Sequence, residues 1–150
     1  MGESPGTRIE QKSELSQSQL EPGDPVHSLV SLPILWAEPH AALADLARQL
    51  GDEHVGALLV MEGDLLAGMI SERDLVRVLA SGDDARDVWI ADVMALDVVQ
   101  VDGSTPIGIA ALAMLEHSVR HLAITSEGRV IGVVSMRDVL RVLTDHWLRS

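Results

Sequence analysis

The chain is predicted to adopt a mixed α/β fold, an α+β arrangement of two tandem β-α-β-β-α repeats, and two observations carry that expectation. The first is an internal repeat. Gly68-Met-Ile-Ser-Glu-Arg-Asp-Leu-Val-Arg-Val-Leu79 returns 64 residues later as Gly132-Val-Val-Ser-Met-Arg-Asp-Val-Leu-Arg-Val-Leu143. Seven of the twelve positions are identical, four exchange one apolar residue for another, and only Glu72 against Met136 changes chemical class. The same offset runs back without a gap to Pro33 against Asp97, aligning Leu58 and Val60 with Leu122 and Ile124, and Leu66 with Val130. Two copies are too few for an array, so each is expected to bury its apolar face against the other. The second observation is the hydrophobic patterning, which reads strand, helix, strand, strand, helix in both copies.

In the first copy Leu32 to Ala37 reads as a short strand. Leu43, Leu46, Ala47 and Leu50 follow at i, i+3, i+4 and i+7, the apolar stripe of a helix. Val55 to Met61 is a buried strand, Glu62-Gly63-Asp64 supplies turn residues, Leu65 to Ile70 returns as a hairpin partner, and Asp74 to Ala80 begins the last helix. The second copy repeats the order, with strands at Val98 to Val101, Arg120 to Thr125 and Arg129 to Ser135 and a closing helix from Arg137 to about Leu148. Its first helix is opened by Ser104-Thr105-Pro106, with Pro106 expected at the first helical position. Ser81 to Asp87 is a polar connector with room for one helical turn. The expected organisation is a disordered tail over 1–26, a first repeat over 27–80, a linker over 81–91 and a second repeat over 92–146, with 27–150 forming one compact module.

Composition narrows the function classes. At 150 residues and 47% apolar content the chain can bury a core within a single domain. It has no Cys, so disulfide and thiolate chemistry are excluded. Its longest apolar runs fall far short of the roughly 20 residues of a membrane span, and the amino terminus lacks a basic-then-apolar signal, which together predict a cytoplasmic protein. A net charge of −12 opposes binding to nucleic acid or an anionic membrane, and with no Phe or Tyr and three Trp there is no base-stacking platform. Residues 1 to 26 are rich in Ser, Gln, Glu, Gly and Pro, the composition of a disordered segment. The only Lys, Lys12, lies there, so the cations of the folded part are Arg and His. Arg suits forked contacts with carboxylate or phosphate.

Both copies carry Gly-x-x-Ser-x-x-Asp between a strand and a helix: Gly68, Ser71 and Asp74, then Gly132, Ser135 and Asp138. A Ser at that junction lies beside the free N–H groups of the first helical turn, where an anion is also favoured by the helix dipole. Arg73 and Arg137 can add a forked charge to a phosphate, and Asp74 or Asp138 can accept both hydroxyl protons of a ribose. The competing reading is a capping box, in which Ser and Asp only satisfy the helix start. Capping does not by itself call for Arg at the same place in both copies, nor for Gly three residues ahead of Ser.

These two motifs, with Asp92-Val93-Met94 just before the second copy, resemble a CBS domain pair, also called a Bateman module, over about residues 27 to 145. The resemblance implies two three-stranded sheets packed face to face around a pseudo-two-fold axis, with two clefts at the seam. It also implies a regulatory module for adenosine-bearing ligands such as AMP, ADP, ATP, S-adenosylmethionine or NAD, forming a homodimer and signalling to a separate effector protein or to another copy. The adenine slots it implies are Leu35, Val55 and Ile70 in one cleft, and Val99, Leu122 and Val134 in the other. A family alternative is a ligand-free dimerisation unit, and the apolar helix Val139 to Leu148 with Trp147 is a candidate contact face.

The clefts are expected to differ. Where the first copy has Gly56 and Ala57, the second has Arg120 and His121, which either bring cationic character and a pH-sensitive contact to a cleft or begin an edge strand facing water. Glu72, one residue from Ser71, is expected to repel phosphate there, which favours the Ser135 cleft for a phosphorylated ligand. His117 and His121 are separated by a helix end and do not form a metal pair. Asp83, Asp84, Asp87 and Asp92 lack the spacing of a calcium loop. No nucleophile setting, phosphate loop or dinucleotide fingerprint is present, so an enzyme is not expected.

Overall fold

The computed structural model describes residues 19–30, 34–53 and 55–150. The expected disorder of residues 1–18 and the Leu32–Pro33 start of the first predicted strand lie outside the described residues. The first repeat comprises β1 (Trp36–Ala37), α1 (Leu43–Glu53), β2 (Ala57–Glu62), β3 (Leu65–Ser71) and α2 (Glu72–Ser81). A one-turn helix α3 (Ile90–Val93) leads into β4 (Gln100–Asp102), α4 (Ile107–His117), β5 (His121–Ser126), β6 (Arg129–Ser135) and α5 (Met136–Arg149). The fold class is the one the repeat predicts, with two three-stranded sheets ordered β1-β2-β3 and β4-β5-β6.

The copies agree register for register. Ala57 pairs with Ser71 as His121 pairs with Ser135, and Val60 pairs with Gly68 as Ile124 pairs with Gly132. Both central strands carry an irregularity at the next residue, between Val60 and Met61 and between Ile124 and Thr125. In both sheets the first pair of strands is parallel and the second is a tight hairpin. The turns differ in chemistry. Gly63 alone takes a positive φ, 61°, in the first, whereas both Glu127, at 52°, and Gly128, at 78°, do so in the second.

Helix α1 buries Leu43, Leu46 and Leu50 and turns Asp45 and Arg48 to water, as its period dictates. In α4, Pro106 is the N-cap, one position outside the predicted place, because its carbonyl accepts the N–H groups of Ile109 at 2.9 Å and Ala110 at 3.0 Å. The predicted helical turn within 81–87 is a hydrogen-bonded turn from Asp84 to Asp87, and the helical turn falls later, at α3. Arg86 caps that connector by forking onto Asp84, holding its carboxyl down at about 2.

Each core borrows from the other repeat's leading segment. Ile90, which precedes the second copy, is buried in the first core with Leu43, Leu58 and Ile70. Val26 and Leu29, which precede the first copy, are buried in the second core with Ile107, Leu122 and Val134. Backbone bonds fix both exchanges: Val26 N–H donates to Thr105 O at 2.7 Å, and Ile90 N–H to Ala41 O at 3.0 Å. Residues 19–26 are therefore not tail-like, although composition predicted so. Their polar residues bond to the second repeat, with Glu21 meeting His146 at 2.5 Å and Arg149 at 3.5 Å on α5, while Val26 is wholly buried. Among the described residues no helix is long and apolar enough to cross a membrane.

Candidate functional site

The two motifs fold into the same local device. In β6, Ser135 is the last residue and the N-cap of α5, and its N–H and Oγ both donate to Asp138 Oδ2, at 3.2 and 2.8 Å. The Asp138 N–H donates back to Ser135 Oγ at 3.1 Å. Ser71 and Asp74 do the same at the start of α2, with N–H and Oγ at 2.9 and 3.1 Å from Asp74 Oδ2. The capping box is thus formed in both copies. It consumes only one oxygen of each carboxylate. Asp74 Oδ1 lies 3.9 Å from the Arg77 guanidinium, whereas Asp138 Oδ1 has no hydrogen-bond or ion-pair partner among the described residues.

The motif glycines have a structural cause as well. A methyl group on Gly68 would lie 2.6 Å from Ala95 O and 2.8 Å from Met94 Sδ, and one on Gly132 would meet a Val30 methyl. The leading segment of each neighbouring repeat crosses the strand there, and a side chain would block it. Gly three residues ahead of Ser, which capping left unexplained, is accounted for by this close approach.

A cleft of about 940 Å³ opens at the seam between the repeats. Repeat one contributes Ile34, Leu35, Val55 and Gly56, and repeat two contributes Arg120, His121, Ser135, Arg137 and Asp138. The structure therefore regroups the predicted residues, setting the Leu35 and Val55 wall opposite the second motif. Ile70, Leu122 and Val134 do not line this cleft: all three are fully buried, Ile70 in the first core and the others in the second. The reason is strand alternation. Ser71 and Ser135 face outward, so their neighbours Ile70 and Val134 face inward, and Val133, two residues from Ser135, shares its face. Val99 packs half-buried against the second core. Ser71, Arg73 and Asp74 hold the corresponding place in the first repeat and are not part of this cleft's lining.

Glu72 is the larger surprise. It lines the Ser135 cleft, and its Oε2 comes within 4.0 Å of where a Gly56 side chain would begin. The carboxylate expected to repel phosphate at Ser71 reaches the other site, because α2 starts at the seam, where Glu72 N–H donates to Gly56 O at 3.0 Å. Arg120 is exposed just before β5, and His121 is half-buried. The edge-strand alternative for this pair does not hold, since β5 is the central strand of its sheet. Burial pushes the His121 imidazole below its ordinary pKa, with Asp138 and then Glu72 working in the opposite direction and Arg120 adding to the depression. Arg141, one helical turn beyond Arg137, also lines the cleft and was missed, although its i+3 spacing from Asp138 marks it. Among the described residues no group of three or more acidic or His side chains could hold a metal ion.

A family model described as the CBS domain matches residues 26–81 and 90–145. Hypoxic response protein 1 of Mycobacterium tuberculosis is 31% identical over 109 residues, covering 71% of this chain and 76% of that protein. The CBS domain protein PAE2072 from Pyrobaculum aerophilum, complexed with AMP, matches with a TM-score of 0.71 at 24% identity, over 83% of this chain and 98% of that one. The CBS domain pair of protein MJ0100, in complex with 5′-methylthioadenosine and S-adenosyl-L-methionine, matches with a TM-score of 0.74 at 21% identity, over 82% and 98%. In one curated relative the matched span is 18% of the protein and in another 81%. At these identities the two structural likenesses speak for the fold.

Proposed function

Because the chain belongs to the CBS-domain family, with two copies of that domain spanning residues 26–81 and 90–145, we propose that it is a regulatory module that senses an adenosine-bearing nucleotide in the seam cleft. The observation that carries this reading is Asp138. Its Oδ2 holds the helix start while its Oδ1 is unengaged among the described residues, at the edge of a cleft walled by Leu35 and Val55. A ribose diol would donate to that oxygen, the adenine would lie against Ile34, Leu35 and Val55, and the phosphates would approach the first turn of α5, Arg137 and Arg141. Relatives complexed with AMP or with S-adenosyl-L-methionine support the ligand class. The reading assigns no catalytic step to the chain, which acts in the cytoplasm by changing what it presents to an effector protein.

A thermal-shift and calorimetry panel with AMP, ADP, ATP, S-adenosylmethionine, NAD and adenosine tests it. A ligand at a hundred times its dissociation constant adds about 2.7 kcal/mol of stability. The expected result is a shift with one adenosine ligand that Asp138→Ala abolishes and Asp74→Ala leaves in place. No shift with any of them overturns the reading.

Assembly into a homodimer has its own support. Helix α4 exposes Ile109, Leu112 and Leu115, at 53%, 52% and 68%, where α1 has Asp45, Arg48 and Gly51 at the corresponding positions. One repeat thus presents a polar outer helix and the other an apolar one, which favours self-association through the second repeat. Trp147, 75% exposed on α5, is a further apolar contact. Light scattering after gel filtration is expected to give a dimer that Leu112→Glu with Leu115→Glu converts to monomer; a monomeric wild type refutes it.

A further inference from the structure

We propose that His121 couples occupation of the seam cleft by the phosphate of a nucleotide to the uptake of a proton, so that the module's affinity for phosphorylated ligands is tuned by pH near neutrality. The inference rests on the nucleotide reading of the cleft given above and concerns a residue that the first repeat does not possess. Residues paired across a hairpin stand on one face, and His121 pairs with Ser135. The matching pair in the first repeat is Ala57 with Ser71, which offers nothing that titrates.

The charged groups around the imidazole come from every element packed against it. Asp138 faces it from α5, Glu72 from the start of α2, and Arg120 adjoins it just before β5, while Arg137 and Arg141 line the same cleft. Across the seam its Nε2 lies 3.6 Å from where a Gly56 side chain would begin, with Glu72 Oε2 4.0 Å from the same point. Its ring makes no hydrogen bond among the described residues, and the half-buried setting favours the neutral form.

A phosphate arriving at the first turn of α5 changes that balance. It is held at one end by Arg137 and repelled at the other by Glu72, which the fold fixes in the same cleft. Protonated His121, which shares the cleft with Glu72 and with the first turn of α5, can donate from both ring nitrogens, so the complex favours imidazolium where the free protein favours imidazole. Binding then takes up a proton. Affinity for a phosphorylated ligand falls as pH rises, by up to about tenfold per pH unit between the free and bound pKa values, while affinity for adenosine stays flat.

Calorimetry with AMP and with adenosine at pH 7, in buffers of different ionisation heat, tests the coupling on wild type and His121→Asn. The expected outcome is roughly half to one proton taken up with AMP, none with adenosine, and none with AMP in His121→Asn, which binds AMP several-fold more weakly and independently of pH. Uptake that persists in His121→Asn places the proton on the phosphate and overturns the proposal, as does AMP binding to wild type without uptake. Failure of both AMP and adenosine to bind overturns the nucleotide reading and this inference with it.

Discussion

Replacing Gly68 by Ala separates two explanations of the motif's first residue. The new methyl would sit 2.6 Å from Ala95 O, against an ordinary carbon–oxygen contact of about 3.3 Å, so the chain crossing there must retreat by roughly 0.7 Å. That chain is held by a reciprocal bridge, Met69 N–H to Ala95 O at 3.0 Å and Ala95 N–H to Met69 O at 2.9 Å. Overpacking of this kind costs about 1–3 kcal/mol, and each hydrogen bond lost adds about 0.5–1.5 kcal/mol. The lower unfolded-state entropy of Ala returns about 0.4–1 kcal/mol. A net loss of about 2–4 kcal/mol is expected, which lowers the melting temperature of a chain this size by roughly 5–15 °C. Urea and thermal denaturation followed by circular dichroism read it directly. Gly51→Ala, where nothing lies within 4 Å in the last turn of α1, is the control, and it should gain up to about 1 kcal/mol. An unchanged or raised melting temperature for Gly68→Ala refutes the close-approach argument and returns the glycine to the ligand.

Three further outcomes follow from the same geometry. Leu29→Ala, at a side chain only 4% exposed in the second core, should cost about 2–5 kcal/mol in chemical denaturation, because the segment leading into the first repeat is part of the second repeat's packing. Glu127→Gly should raise stability by up to about 1 kcal/mol, seen as a small increase in melting temperature, because the φ of 52° at this turn suits glycine. Burial lowers the His121 pKa in the fold, so the unfolded chain binds the proton first as pH falls through about 6.5. Stability should therefore decline with acidification from pH 7 to the lower folded pKa, and His121→Asn should flatten that part of the pH profile.

The repeat itself was legible because a hydrophobic pattern and a motif survive at a fixed offset, and the paired registers of the two hairpins follow that offset residue by residue. Strand alternation is legible too, and it reaches beyond the motif. Carrying the period-two rule one step back from Ser135 points to Val133 and His121 as cleft residues and sends Val134 and Leu122 to the core. The exchange of leading segments could not be read from composition. Glu21, Pro22, Gly23 and Asp24 look like solvent-facing chain, and only the tertiary structure reveals that Glu21 meets α5 and that the backbone carbonyls of Pro22 and Asp24 accept from Gly108 and Ile107. A cue was present all the same, since Val26 aligns with Ile90 at the repeat's own offset.

The places where the copies differ are more telling than those where they agree. Core positions match in kind, Leu58 with Leu122, Val60 with Ile124 and Ile70 with Val134, because both copies solve the same packing problem. Gly56 against Arg120, Ala57 against His121 and Glu72 against Met136 lie at the seam, where the packing problem is shared and both members of each difference meet around one cleft. Their divergence places Arg120, His121 and Glu72 together beside Asp138, whose outer oxygen has no partner among the described residues, while the equivalent oxygen of Asp74 is within reach of Arg77. A pair built this way has two structurally equivalent helix caps in two chemically unequal settings, the second gathering Arg120, Arg137 and Arg141 together with the acids Glu72 and Asp138.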